Sequence, residues 1–276
     1  MSAPGSTGVS RGTALGAAVI GVYGLLALAS LTSLFDSGLA LDVATRLAPP
    51  SARHWFGTDP LGRDVFAMVA VGARTSLAVA IGAVLVGVLA GTPLGLIAAA
   101  RGGFTDEFLA RGNDLLFAFP ALLLAVLLSA ALGPGALTAV IAIGIFNVPV
   151  FARLVRGSAR ALMPRDFVLA ARLAGRGPVA IAFEHLLPNL AGLLIAQVAI
   201  QLSLGIAAEA GLSYVGLGAQ PPVPSWGRML NDAQTLVGSA PWLALFPGLA
   251  LALAVLALGL VGDGLAAVLG GRGGMR

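Results

Sequence analysis

The sequence predicts an all-α, polytopic membrane protein with six transmembrane helices. Three observations predict it. Of 276 residues, 58% are hydrophobic and 10% charged, with a mean hydropathy of +0.96, whereas a soluble domain carries about 25% charged residues. The apolar residues are gathered into separate runs long enough to span a bilayer. Between those runs lie short segments that hold the charge together with Gly and Pro, the residues that punctuate helices.

Composition also excludes chemistry. There are no cysteines, hence no disulfide framework and no thiolate metal site. All 16 basic residues are arginine, so a Walker A loop, which needs its lysine on the phosphates, is absent. No His-Glu-x-x-His occurs, and the one Gly-x-Ser-x-Gly spacing, Gly8-Val9-Ser10-Arg11-Gly12, lies in the polar tail ahead of an apolar run and not on the strand-to-helix turn of a nucleophile elbow, so no catalytic constellation is visible. The net charge of +4 is spread between apolar spans, a pattern explained by the positive-inside rule and not by nucleic-acid binding.

In chain order, residues 1–12 form a small polar tail, and residues 13–35 are the first apolar run. A secretory signal peptide competes for this run, with Arg11 ahead of it and Ala27-Leu28-Ala29 as a cleavage-like site. The run continues past that site and is long enough to span, so a retained helix is expected. Residues 36–73 are mixed in charge. Within them Asp59 can cap a helix and Pro60 can take its first position. Leu61, Val65, Met68 and Val69 then form one apolar face, which predicts a surface helix lying on the outer membrane face. The first helix and this surface helix make up residues 13–75.

The membrane domain proper is expected over residues 76–265. The second run covers residues 77–100; Gly87, Gly91 and Gly95 lie four apart on one face, which lets another helix approach closely, and Pro93 is a kink site. Residues 101–114 are expected to be a polar turn. The third run covers 115–132, Gly133-Pro134-Gly135 reverses the chain, and the fourth run covers 136–152. The fifth covers 190–212 and the sixth 241–261, with a Pro-rich loop between them. Trp226 and Trp242 suit the membrane–water interface. Residues 266–276 form a second tail.

Six spans put both termini on one side. Arg101, Arg111, Arg153, Arg156, Arg160, Arg165, Arg172 and Arg176 fall on that side with Arg11, Arg272 and Arg276. Arg46, Arg53, Arg63, Arg74 and Arg228 fall on the other. The first side is therefore expected to be cytoplasmic, in a bacterial inner membrane.

The polar loop within residues 156–188 organises the rest. Pro164 suits a helix start, and Phe167, Ala170, Ala171 and Ala174 recur at helical spacing on one face. Gly175 suits a left-handed cap, and Gly177-Pro178 starts a second short helix that Leu187-Pro188 is expected to end. Two short helices between spans make a knob of the size that docks in a partner's groove.

The order Ala170-Ala171, then Gly175, then His185-Leu186-Leu187-Pro188-Asn189 resembles the "EAA" loop of ABC importer membrane subunits. The octapeptide at residues 57–64, the segment 212–227 and Gly262-Asp263-Gly264-Leu265 are similar, in the same order, to the C-type permease of dipeptide, oligopeptide and nickel importers. Together the motifs cover about residues 54–265. The resemblance implies a type I ABC importer permease, a non-catalytic subunit with no cofactor of its own. By that resemblance it pairs with a second, homologous permease, and two cytoplasmic ATPase domains bind ATP and Mg. An extracytoplasmic binding protein delivers the cargo, by family default a di- or oligopeptide. It also implies that Asp166, Phe167, Ala170, Ala171, Ala174, Gly175, His185 and Pro188 meet the ATPase. Two positions depart from the pattern: Leu169 stands where the motif has glutamate, and Glu184 where a basic residue is expected.

Polar residues inside spans are candidates for the translocation path. They are Asn147 in the fourth span and Gln197, Gln201 and Glu209 in the fifth; the amides serve equally as glue between helices. His185 lacks a ligand cluster and is not expected to hold a metal. A stand-alone secondary transporter or channel is the rival reading. It needs ion-coupling residues at mid-membrane, and Glu209 alone supplies little.

Overall fold

The computed structural model describes residues 11–32, 35–118 and 121–271. Among them no strand occurs, and the chain is a succession of helices: α1 (Arg11–Ala29), α2 (Val65–Arg101), α3 (Gly103–Ala118), α4 (Ala121–Leu132), α5 (Ala136–Leu162), α6 (Asp166–Leu173), α7 (Pro178–Tyr214), α8 (Trp226–Ala233) and α9 (Trp242–Gly271). α1, α2, α5, α7 and α9 are long and apolar enough to cross a membrane. The expected third span is not one straight helix. α3 and α4 are inclined at 84° to each other, so the count is five spans, or six if that pair forms one broken span. The expected polar turn over residues 101–114 is also largely helical: only Gly102 and Gly103, at φ +63° and +52°, interrupt the path from α2 into α3.

The surface helix expected before the second span does not exist as a separate element. Asp64, not Asp59, caps the helix, accepting from the N–H groups of Phe66 and Ala67 at 2.8 and 3.2 Å. From Val65 the helix runs unbroken for 37 residues. Asp59 instead closes the preceding turn: it accepts from the backbone of Leu61 and Arg63 and pairs with the Arg63 guanidinium at 2.7 Å. Val65, Met68 and Val69 are buried in the main core with Ile206, Met229, Ala250 and Ala254. The apolar face read as membrane-lying is therefore a helix–helix contact face.

Trp226 corrects a second expectation. It is fully buried, donates from Nε1 to the Val69 carbonyl at 3.0 Å, and meets Tyr23 edge-on with ring centroids 5.2 Å apart. A buried indole needs such an acceptor, and α2 supplies it. Trp242 is only partly buried and donates to the Thr58 carbonyl at 3.2 Å.

Two prolines are absorbed by the helices that carry them. A π-turn over Gly87–Gly91 precedes Pro93, and another over Ala182–Leu186 precedes Pro188. A π-turn re-registers the hydrogen bonds locally, which accommodates a residue without an N–H. Leu187-Pro188 therefore ends no helix, and α7 continues from the loop deep into the core.

The glycine stripe on α2 does what its spacing predicts. A Cβ on Gly87 would stand 2.5 Å from Asn147 Cβ, one on Gly95 would stand 2.5 Å from the Ala152 carbonyl oxygen, and one on Gly91 would strike the Val148 carbonyl. All three face α5, whose backbone approaches α2 too closely for any side chain.

Candidate functional site

The loop helix α6 has two faces. Val168 and Ala171 point inward, at 0% and 8% exposure, and pack with Leu96, Val155, Ala159, Ile181, Leu186 and Leu190. This is a separate small core that joins α6 to the ends of α2, α5 and α7. Asp166, Phe167, Leu169, Ala170, Leu173 and Ala174 are exposed, and Leu173 reaches 91%. The expected docking face is therefore split. Phe167, Ala170 and Ala174 are on the exposed side, whereas Ala171 is buried in the seat of the helix. Sequence spacing put Ala171 with Phe167 because positions four apart share a face; contact with the domain selects Val168 and Ala171 instead. Leu173, the most exposed of the apolar residues on α6, was not singled out by the sequence.

The helix ends as its sequence suggests. Gly175 has φ +80°, its N–H donates to Arg172 O at 2.9 Å, and Arg176 N–H donates to Ala171 O at 3.0 Å. This paired arrangement is a Schellman cap, and the left-handed residue it needs is glycine. His185 lies in the π-turn of α7, partly buried, and its carbonyl accepts from Asn189 Nδ2 at 2.7 Å. Pro188 is exposed nearby. No group of residues able to hold a metal occurs among those described.

Beside α6, three arginines on α5 grip α3. Arg156 binds both carboxylate oxygens of Asp106, and Arg160 joins it on Oδ2. Arg153 pairs with Asp114 at 2.7 Å and lies over the Phe117 ring at 4.5 Å. Asp106 is buried, at 5% exposure, so two guanidiniums compensate its desolvation. The arginines were legible as a topology signal; their acids lay in a stretch expected to be a turn, which hid the pairing.

The polar residues expected along the path separate into two environments. Gln201 Nε2 donates to Asn147 Oδ1 at 3.0 Å, and Asn147 Nδ2 reaches the Ala83 carbonyl at 3.4 Å. The amide pair lines a cavity of about 450 Å³, whose other walls include Leu122, Ile143, Phe146 and Leu204. Gln197, one turn away and partly buried, does not line it. Glu209 does not line it either. It is fully buried and accepts from Ser213 Oγ at 2.6 Å, while Ser213 Oγ accepts from the Ala219 N–H at 3.1 Å. Its second oxygen has no partner. Glu209 thus braces the loop that follows α7.

A helical membrane domain with a seated loop helix at one end and an amide-lined cavity between α5 and α7 can be compared with known proteins. Residues 91–272 match the family model described as the binding-protein-dependent transport system inner membrane component. The chain belongs to that family. It is the permease component of an ABC importer, a multi-pass membrane protein. Among its relatives is the dipeptide transport system permease protein DppC of Alkalihalophilus pseudofirmus, 45% identical over 80% of this chain and 73% of the relative. The glutathione transport system permease protein GsiD of Pectobacterium atrosepticum is 45% identical over 78% of this chain and 72% of its own length. Among solved structures, the MetNI methionine ABC transporter in an inward-facing conformation aligns with a TM-score of 0.60 and 20% identity. The alignment covers 73% of this chain and 96% of that one. The likeness is one of fold, the type I permease fold.

Proposed function

We propose that this permease moves a short peptide, of the dipeptide or glutathione kind, through a path it encloses with a second homologous permease. Two cytoplasmic ATPase domains hold the ATP and Mg; this chain holds no cofactor. An extracytoplasmic binding protein hands over the cargo. Relatives named for dipeptide and glutathione support the cargo class.

One observation carries the mechanism. α6 is held to the domain by Val168 and Ala171 while it presents Phe167, Leu169, Ala170 and Leu173 outward. A helix seated on one side and apolar on the other suits a lever between two bodies. Closure of the ATPases on ATP pushes α6. The small core transmits the push to α2, α5 and α7, which include two of the cavity walls. The Asn147–Gln201 pair then faces the cargo with hydrogen-bonding groups and no charge, which suits passage without tight binding. Gln197 and Glu209 stand off this cavity and take a supporting role, Glu209 through Ser213.

In this reading the arginine-rich end, with both termini and α6, is cytoplasmic, as the positive-inside rule requires. Reporter fusions after Gly103 and Arg276 should be cytoplasmic and one after Ser225 external. For transport, proteoliposomes holding the permease pair, the ATPases and the binding protein should take up labelled dipeptide or glutathione only with hydrolysable ATP. Uptake driven by an ion gradient without ATP would instead support a secondary transporter.

A further inference from the structure

At the arginine-rich end, α2 stops at Arg101, α5 stops at Leu162 and α7 begins at Pro178. Around these ends lies a cavity of about 340 Å³ lined by Arg101, Met163, Arg172, Arg176, Pro178 and Ile181, with no carboxylate in its wall. Arg172 directs Nη2 at the Met163 sulfur, 3.8 Å away, a weak acceptor. Arg176 forms a loose, exposed ion pair with Glu184 at 3.6 Å, longer than a hydrogen bond. Among the described residues Arg101 has no acidic partner.

The neighbouring arginines are treated differently. Arg111, Arg153, Arg156 and Arg160 each lie on a carboxylate of Glu107, Asp114 or Asp106. Three guanidiniums around one small space, of which only Arg176 has a carboxylate nearby, repel one another, and an anion between them reverses the sign of that interaction. Guanidinium forks match phosphate oxygens two at a time. The first turn of α7 opens on the same space and adds its dipole. Three long apolar helices end around this space, which puts both a lipid headgroup and a soluble phosphate among the anions to be tested.

We propose that the cavity of Arg101, Arg172 and Arg176 binds a phosphate group, presented by an anionic lipid headgroup or as free phosphate. Such a group fills the space between the loop that carries α6 and the helix ends beneath it. The site does not depend on the ATPase-coupling reading and is tested without ATPases.

The full-length permease is purified in mild neutral detergent, and bound lipid is counted by native mass spectrometry after exchange into phosphatidylcholine with or without phosphatidylglycerol. A second arm adds inorganic phosphate to delipidated protein and follows phosphorus NMR line broadening. The wild type should retain phosphatidylglycerol over phosphatidylcholine, or bind inorganic phosphate. The double variant R172Q/R176Q and the single variant R101Q should each weaken that binding about tenfold or more. R111Q, at the same end but with its arginine paired to Glu107, should not. Retention of lipid alone assigns a headgroup, and phosphate binding alone assigns a soluble ligand. If the wild type binds neither, or if R111Q loses as much as the cavity variants, the proposal is wrong. Loss of ATPase capture by variants of a wild type that binds neither anion would assign the arginines to a partner's carboxylates and overturn it equally.

Discussion

Gln201 donates its side-chain amide to Asn147 Oδ1 at 3.0 Å, joining α7 to α5 across 54 positions of sequence. It is the polar contact in the wall of an otherwise largely apolar cavity. Either amide replaced alone leaves the other with an unmatched group. Asn147→Ala and Gln201→Ala should each cost about 1 kcal/mol of stability and slow uptake severalfold. The double variant should cost less than the sum of the two. A double-mutant cycle on melting temperature and initial uptake rate measures this; strict additivity would mean that the pair is not coupled.

The α2–α5 contact sets a different limit. Gly91 meets the Val148 carbonyl, whereas a Cβ on Gly112 meets nothing within 4 Å. Gly91→Val should therefore force the two helices apart at a cost of about 3 kcal/mol or more, with loss of monodisperse protein in size-exclusion profiles. Gly112→Ala should be neutral or slightly stabilising.

The Asp106 clamp is strong because it is buried on one side. Asp106→Asn removes the charge that Arg156 and Arg160 share. Arg156 is largely covered, with a side-chain exposure of 28%, while Arg160 at 48% can rehydrate. The expected loss is about 2 kcal/mol, below the figure for a fully buried pair. Asp114→Asn breaks an exposed pair and should cost at most about 0.5 kcal/mol. Thermal unfolding of both variants in one detergent makes the comparison; equal losses would mean that burial of Asp106 is not what makes the clamp matter.

Trp226 ties α8 to α2 and α1 through Val69 and Tyr23. Trp226→Phe leaves the Val69 carbonyl without its side-chain donor and should cost about 1–2 kcal/mol, read as a drop in melting temperature with insertion intact. A variant as stable as the parent would mean that the indole N–H contributes nothing.

Much of this was legible in the sequence, because apolar runs, the glycine stripe and the Gly175 cap each follow from local physics. Periodicity could not say which neighbour a face meets. Val65, Met68 and Val69 were recognised as a face and assigned to lipid, when α2 continues through them into the core. Trp226 was assigned to the interface because amphipathic rings favour it, and only the tertiary fold supplies a buried acceptor. Pro188 reads as a stop; a π-turn, which has no sequence signature, carries the helix past it. Ala171 was grouped with Phe167 and is buried for a related reason, since the choice of inward face on α6 is made by Leu96, Val155 and Leu186, remote in sequence.

The most direct measurement is capture of the partner ATPases by permeases carrying Leu173→Glu or Ala171→Glu, together with uptake. Leu173 is almost fully exposed and Ala171 is buried in the seat of α6. Leu173→Glu should leave insertion and melting temperature unchanged, yet reduce ATPase capture and ATP-driven uptake about tenfold or more, because docking would bury an unpaired carboxylate. Leu169→Ala, which removes apolar surface and adds no charge, should be milder. Ala171→Glu should instead destabilise the permease itself. If Leu173→Glu keeps both its ATPases and normal uptake, the outward face of α6 is not the coupling surface.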